Sequence, residues 1–200
     1  MKADEAAELM DQEKTRDTFK QRAAIIIAIF AMILAITSLG GSNAGKEAVN
    51  NNILASNFWS FFQAKNMRQT SFALAADELE LRLAQNDPAL SPELQAELKK
   101  KAEAYRKTVA RYESEPETRE GKKELIQRAR EYEAKRDHAL KQDPYFDYAE
   151  ALLQIAIVLI SVAIVADIVW LSFVGGALGI AGALLSLNGF HLFVELPFLG

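Results

Sequence analysis

The chain has 200 residues, half of them apolar, with 23 basic and 27 acidic side chains, two histidines and no cysteine. This composition excludes disulfides, thiolate nucleophiles, iron–sulfur clusters and thiolate zinc sites, and any multi-histidine metal site would need several subunits. The net charge of −4 is unclustered and no basic face interleaves with aromatics, so nucleic acid is not an expected partner.

Residues 1–22 alternate acids and bases and read as a charged helix or tail leading into a membrane, with Lys14, Arg16, Lys20 and Arg22 gathered at its end. The apolar run at 23–39 is expected to be the first transmembrane helix. Its start is long and acidic, whereas a secretory signal has a short basic start and an apolar core of about 7 to 15 residues, so an uncleaved anchor is expected. Ala24, Ala28, Ala31 and Ala35 form a stripe of small residues, a pattern that lets helices approach closely in lipid. Gly40-Gly41-Ser42-Asn43 reads as the end of this span and a hinge.

Residues 44–143 read as a polar domain outside the bilayer, a long antiparallel, coiled-coil-like helical hairpin inserted between the first and second spans. Its first arm, to about Gln85, has a seam at Ala55, Phe58, Phe62, Lys65, Gln69, Phe72, Ala76, Leu79 and Leu83, spaced alternately by 4 and 3, the coiled-coil period. Lys65 and Gln69 are its polar exceptions, and a buried ammonium is costly without a partner. They read either as a recognition point or as a register-fixing pair answered by a carboxylate on the returning arm.

A turn is expected at Asn86-Asp87-Pro88, followed by a helix capped by Ser91 with Pro92 at its first position. Leu94, Leu98, Ala102, Tyr105, Val109 and Tyr112 line one face of this returning helix, which Pro116 and Gly121 interrupt between residues 113 and 121. Helix resumes near Lys122 and runs to Lys141. Asp143-Pro144 is expected to cap a last helix that enters the membrane through Tyr145, Phe146 and Tyr148, aromatics suited to the interface.

From Ala149 to Leu187 the chain is almost wholly apolar. As one helix it would rise about 58 Å, roughly twice the hydrocarbon thickness, so two spans are expected, 149–167 and 171–187, with a reversal near Asp167 and Trp170. Asp167 is either an intramembrane carboxylate for proton or cation handling, the default suspicion for an ionisable group in a span, or a residue of the interfacial turn. Gly175, Gly179 and Ala183 form a second small-residue face. Residues 188–200 read as an interfacial tail, in which His191 and Glu195 would share one side of a helix, yet two ligands do not make a metal site. There is no phosphate loop, nucleophile elbow or HExxH motif, and no catalytic residue, cofactor or metal site is expected.

The segment from Asn51-Asn52 through Trp59, Phe62, Gln63, Lys65 and Arg68 to Gln69, asparagines followed by Trp, an aromatic and Gln-Ala-Lys, resembles the signature of a bacterial membrane-protein family, the domain-of-unknown-function family 4337. The order of parts is similar too, one N-terminal span, a helical polar region and two closely spaced C-terminal spans, although that pattern often has Tyr where Phe62 stands here. The resemblance implies this architecture and a bacterial inner-membrane location, and it implies no activity. It also groups Asn51, Asn52, Trp59, Phe62, Gln63, Lys65, Arg68 and Gln69 as one interaction motif. Gln63 and Lys65 are two apart and point differently on a helix, so the motif is expected to make contacts on more than one side.

Basic residues close to the first span favour a cytoplasmic N-terminus and a periplasmic helical arm. The expected function is that of a non-enzymatic structural or interaction protein, an all-α integral membrane anchor in contact with lipid that self-associates or serves as an accessory subunit of a larger membrane protein complex. The competing expectation is an oligomeric channel or transporter component using the glycine-lined third span and Asp167.

Overall fold

The computed structural model describes residues 3–85 and 90–196, with side chains from residue 13 onward. The described residues form four helices and no strand: α1 (Ala3–Ala84), α2 (Pro92–Glu113), α3 (Lys122–Ala166) and α4 (Val169–His191). Helices α1, α3 and α4 are each long and apolar enough to cross a membrane. The chain divides into two compact units: Met1–Ala48 with Asp137–Gly200, called the membrane unit because it holds the three membrane-length apolar stretches, and a polar unit of Val49–Arg136.

The expected boundaries between spans and polar domain are not helix boundaries. Helix α1 continues through Gly40-Gly41-Ser42-Asn43 without a break, although each glycine in a helix interior costs about 1 kcal/mol relative to alanine. Packing explains why the helix persists. A β-carbon on Gly40 would lie 2.7 Å from Cε1 of Phe146 and 2.8 Å from Cζ of Phe190, and these two rings meet edge to face with centroids 4.8 Å apart. The glycines are a recess for a ring pair, where a hinge was expected.

Pro144 likewise lies inside α3 and caps nothing. Proline removes one helix hydrogen bond, but Ala139, Tyr145 and Phe146 around it are buried and hold the helix in place. Instead of a separate hairpin inserted between spans, the helices α1 and α3 run on from spans into polar sequence.

In the membrane unit the core is Ala23 and Phe30 of α1 against Leu153, Ala156 and Ile160 of α3, with Ile27, Leu34 and Leu178 around them. The expected alanine stripe is displaced from this face: Ala24, Ala28, Ala31 and Ala35 are all exposed. The inward positions are Ala23, Ile27, Phe30, Leu34, Thr37, Gly41, Ala44 and Ala48, spaced by 4 and 3, so the seam read from Ala55 onward begins 32 residues earlier. In α4 the buried residues are Gly175, Gly179, Gly182, Ser186 and Gly189, while Ala183 is half-buried beside them. A repeat of four drifts around a helix of 3.6 residues per turn, whereas alternating 4 and 3 stays on one face of a left-handed bundle.

The polar unit packs α2 and the start of α3, end to end, along α1. Phe58 stacks on Tyr132 at 5.5 Å, and Phe72 contacts both Tyr105 and Tyr112. Partner numbers fall as α1 numbers rise, so the packed segments are antiparallel. Ser91 caps α2 by accepting from the Leu94 amide at 3.3 Å, with Pro92 following. The expected turn at Asn86-Asp87-Pro88 lies outside the described residues.

Candidate functional site

The break between α2 and α3, residues 114–121, faces Lys65 and Gln69. A helix end leaves carbonyl groups without intrahelical donors, and cations are favoured there. The two polar exceptions on the seam from Ala55 onward stand opposite this break. The Lys65 side chain is 8% exposed; its ammonium donates to the Glu120 carbonyl and, at 3.4 Å, to the Glu115 carboxylate. The rings of Tyr112 and Phe61 flank it, with centroids at 5.2 and 5.7 Å. Gln69 donates to the Val109 carbonyl at 2.9 Å and to Glu113 at 3.1 Å, and accepts from Lys122 at 2.7 Å.

These contacts join the last turn of α2 and the first turn of α3 to one stretch of α1. The hydrogen bond from Gln69, with the nearby charge of Lys122, holds Glu113 below the ordinary glutamate value. Across the break the Ser114 hydroxyl donates to Glu124 at 2.6 Å and the Glu115 amide donates at 3.2 Å, lowering Glu124 as well. Gly121 permits the closure: a β-carbon there would overlap the Glu115 nitrogen and the Glu124 carboxylate.

The other motif residues separate into two groups. Trp59 donates its indole N–H to Glu133 at 2.8 Å and meets Phe62 edge to face, and the Lys122 ammonium lies 5.7 Å from the Phe62 ring centroid. Asn52 accepts from Arg136 at 3.3 Å. Asn51 is 5% exposed, and its Nδ2 has no hydrogen-bond partner among the described residues. Gln63 and Arg68 face outward and are exposed. The motif therefore lies mostly on the inner face, with two members turned away from it.

At the turn between α3 and α4, Asp167 adopts a left-handed backbone (φ 55°) and forms an ion pair with Arg16. This brings the turn to the same end of the membrane unit as the basic tail. His191 and Glu195 are not brought together as helical neighbours, because α4 ends at His191 and Leu192 is left-handed. Glu195 instead pairs with Lys141 at 2.9 Å, which holds its carboxyl below the usual range, and His191 stacks on Phe193. The tail to Leu196 is fixed by Asn188 and by the Tyr145 hydroxyl, which donates to the Val194 carbonyl and accepts from the Leu196 amide. Among the described residues no group of three or more His, Cys, Asp or Glu is placed to hold a metal.

The carboxylate that the sequence leads one to expect opposite Lys65 and Gln69 is present, as Glu115 and Glu113; the sequence does not single out the Glu120 carbonyl, Lys122 or Glu133. Nor does it single out a buried hydroxyl pair, Thr37 and Ser186. A signal for Thr37 was present: stepping back from Ala55 by alternating intervals of 3 and 4 reaches it. No curated protein and no solved structure matches the chain. The family model described as a domain of unknown function (DUF4337) matches residues 19–192, covering the membrane-length apolar stretches and the clasped break alike, and the chain belongs to that family.

Proposed function

We propose that the protein is a membrane-anchored structural or interaction protein that self-associates, or docks as an accessory subunit on a larger membrane complex, through its polar helical unit. One observation carries this reading: α1 and α3 each contain an apolar membrane-length stretch and a polar stretch in a single helix, so anchor and arm are built from the same elements. The arm is then an antiparallel, coiled-coil-like pair with α2 and the start of α3 as its returning half. Its conspicuous polar residues, Lys65 and Gln69, are used internally to close a helix break.

The location this reading favours is a bacterial inner membrane. The N-terminus and the Asp167 turn would be cytoplasmic, because the basic tail and that turn meet through Arg16, and the arm periplasmic. The alternative, a channel or transporter component, has less support: Gly179 is covered by Phe30 and Gly175 by Ile160, while Asp167 is paired.

The test is purification from the native membrane in mild detergent, with the mass of the intact particle measured and its companions identified. A discrete homo-oligomer or a stoichiometric complex is expected. A lone monomer at every concentration would overturn the proposal.

A further inference from the structure

Seven large apolar side chains are exposed among the described residues of the polar unit, and six of them, Val49, Ile53, Phe61, Met67, Leu74 and Leu81, lie on α1. Ile53, Met67, Leu74 and Leu81 occupy one heptad position and are 53%, 72%, 63% and 63% exposed. Ser60 takes the remaining place in that row. Asn57, Ala64, Ser71 and Glu78 fall between them at steps of 4 and 3, all exposed. The result is a ridge of small, polar and apolar layers on the side of α1 away from its inner seam, with Val49 and Phe61 on its flanks.

We infer that this ridge is a parallel, in-register contact with α1 of a second copy of the same chain. The inference rests on the self-association reading above and names its surface. Lipid does not suit the ridge, because it begins beyond Asn43, Lys46 and Asn50 and is interrupted by Asn57, Ser60 and Glu78. Copies inserted in one membrane share an orientation, so their α1 helices run parallel and meet residue for residue about a two-fold axis.

In that register Met67, Leu74 and Leu81 each meet their counterparts, and Ala64 and Ser71 form the small layers between. Asn57 meets Asn57, a polar layer of the kind that specifies register in coiled coils. Charge complementarity favours the same partner. Residues flanking a parallel seam meet those five further along the other helix, which pairs Asp77, an ion-pair partner of Arg106 in its own chain, with Arg82 and Gln63 with Arg68, and brings no like charges together. Glu78 facing its counterpart is the one repulsive layer.

Because the chain has no cysteine, single cysteines can be placed in the full-length protein and oxidised in native membrane vesicles. Met67→Cys and Leu74→Cys are expected to form disulfide-linked dimers about tenfold more readily than the off-ridge variants Asn66→Cys and Lys107→Cys, the margin of a well-populated specific contact. In detergent, the double variant Met67→Glu with Leu74→Glu should weaken association about tenfold or more, as loss of buried anchors does, with helical content unchanged because both sites are exposed. Glu78→Leu should strengthen it.

If the wild type is a lone monomer, the self-association reading falls and this interface with it. If the wild type assembles but ridge and off-ridge cysteines cross-link alike, only the interface is overturned. A cross-linked mass other than twice the chain overturns the choice of a second copy.

Discussion

The hydroxyls of Thr37 on α1 and Ser186 on α4 lie 2.7 Å apart, buried in the membrane unit. Thr37 donates its single proton to the Ile33 carbonyl at 2.8 Å, so Ser186 is the donor within the pair. Such interhelical bonds in membranes contribute about 0.6 kcal/mol on average and about 1.7 kcal/mol at most. Ser186→Ala and Thr37→Val should each lower stability by that order, and the double variant by no more than the larger single effect. Thermal unfolding in detergent measures this, and additive losses would show that the hydroxyls act independently.

Gly179 sits directly against the Phe30 ring, where an added β-carbon would overlap three ring atoms. Gly179→Ala is expected to destabilise the membrane unit by about 1 to 3 kcal/mol through overpacking. Replacing Phe30 with Leu in the same chain should recover part of that loss. Gly176→Ala is the control, since nothing lies within 4 Å of its β-carbon position. Equal effects at the two glycines would contradict the packing described.

At the helix break, Lys65→Met would remove the ammonium's hydrogen bonds to the Glu120 carbonyl and the Glu115 carboxylate, a loss of about 1 to 3 kcal/mol for bonds made by a charged group. Gln63→Met, two residues away and exposed, should change stability little. Gly121→Ala should also be destabilising, because its β-carbon would overlap backbone as well as a side chain. Chemical denaturation followed by helical signal orders the three; a Gln63 variant as harmful as the Lys65 variant would refute the clasp.

Acid should loosen the same junction. Glu113 and Glu124 are held below the ordinary glutamate value of 4.5, by Gln69 and by Ser114 respectively. A lowered carboxyl value in the folded chain stabilises it above the unfolded value, and the gain is lost as pH falls through the folded value. Hydrogen-exchange protection over residues 114–124, corrected for intrinsic rates, should therefore drop below pH 4.5. Gln69→Ala should shrink the share of this drop that Glu113 carries, and an unchanged drop would show that Gln69 does not set it.

The helical class and the three membrane-length apolar stretches are legible in the sequence because run length and period are local properties. Helix continuity is not local. Gly40-Gly41 resembles a hinge until Phe146 and Phe190, more than a hundred residues away, are seen to fill it. The alanine stripe of the first span lies one residue, about 100° of rotation, from the face that packs within the chain. In lipid both faces of a helix are apolar, so hydropathy does not mark the inward face; Phe30 lies inward while Ile25 and Met32 are exposed. The polar clasp was half legible: Lys65 and Gln69 were conspicuous, but their reason is the broken helix opposite, which only packing brings beside them.

Because α1 is unbroken from Ala3 to Ala84, it behaves like a graduated ruler. One residue inserted near Ser60 would turn the helix beyond it by about 100° and advance it by about 1.5 Å, moving Lys65 out of line with its break while Phe58 stays on Tyr132, and splitting the ridge between Ile53 and Met67. Length variation in this polar stretch of α1 is therefore tolerated only in increments close to seven residues, with matching increments in the start of α3.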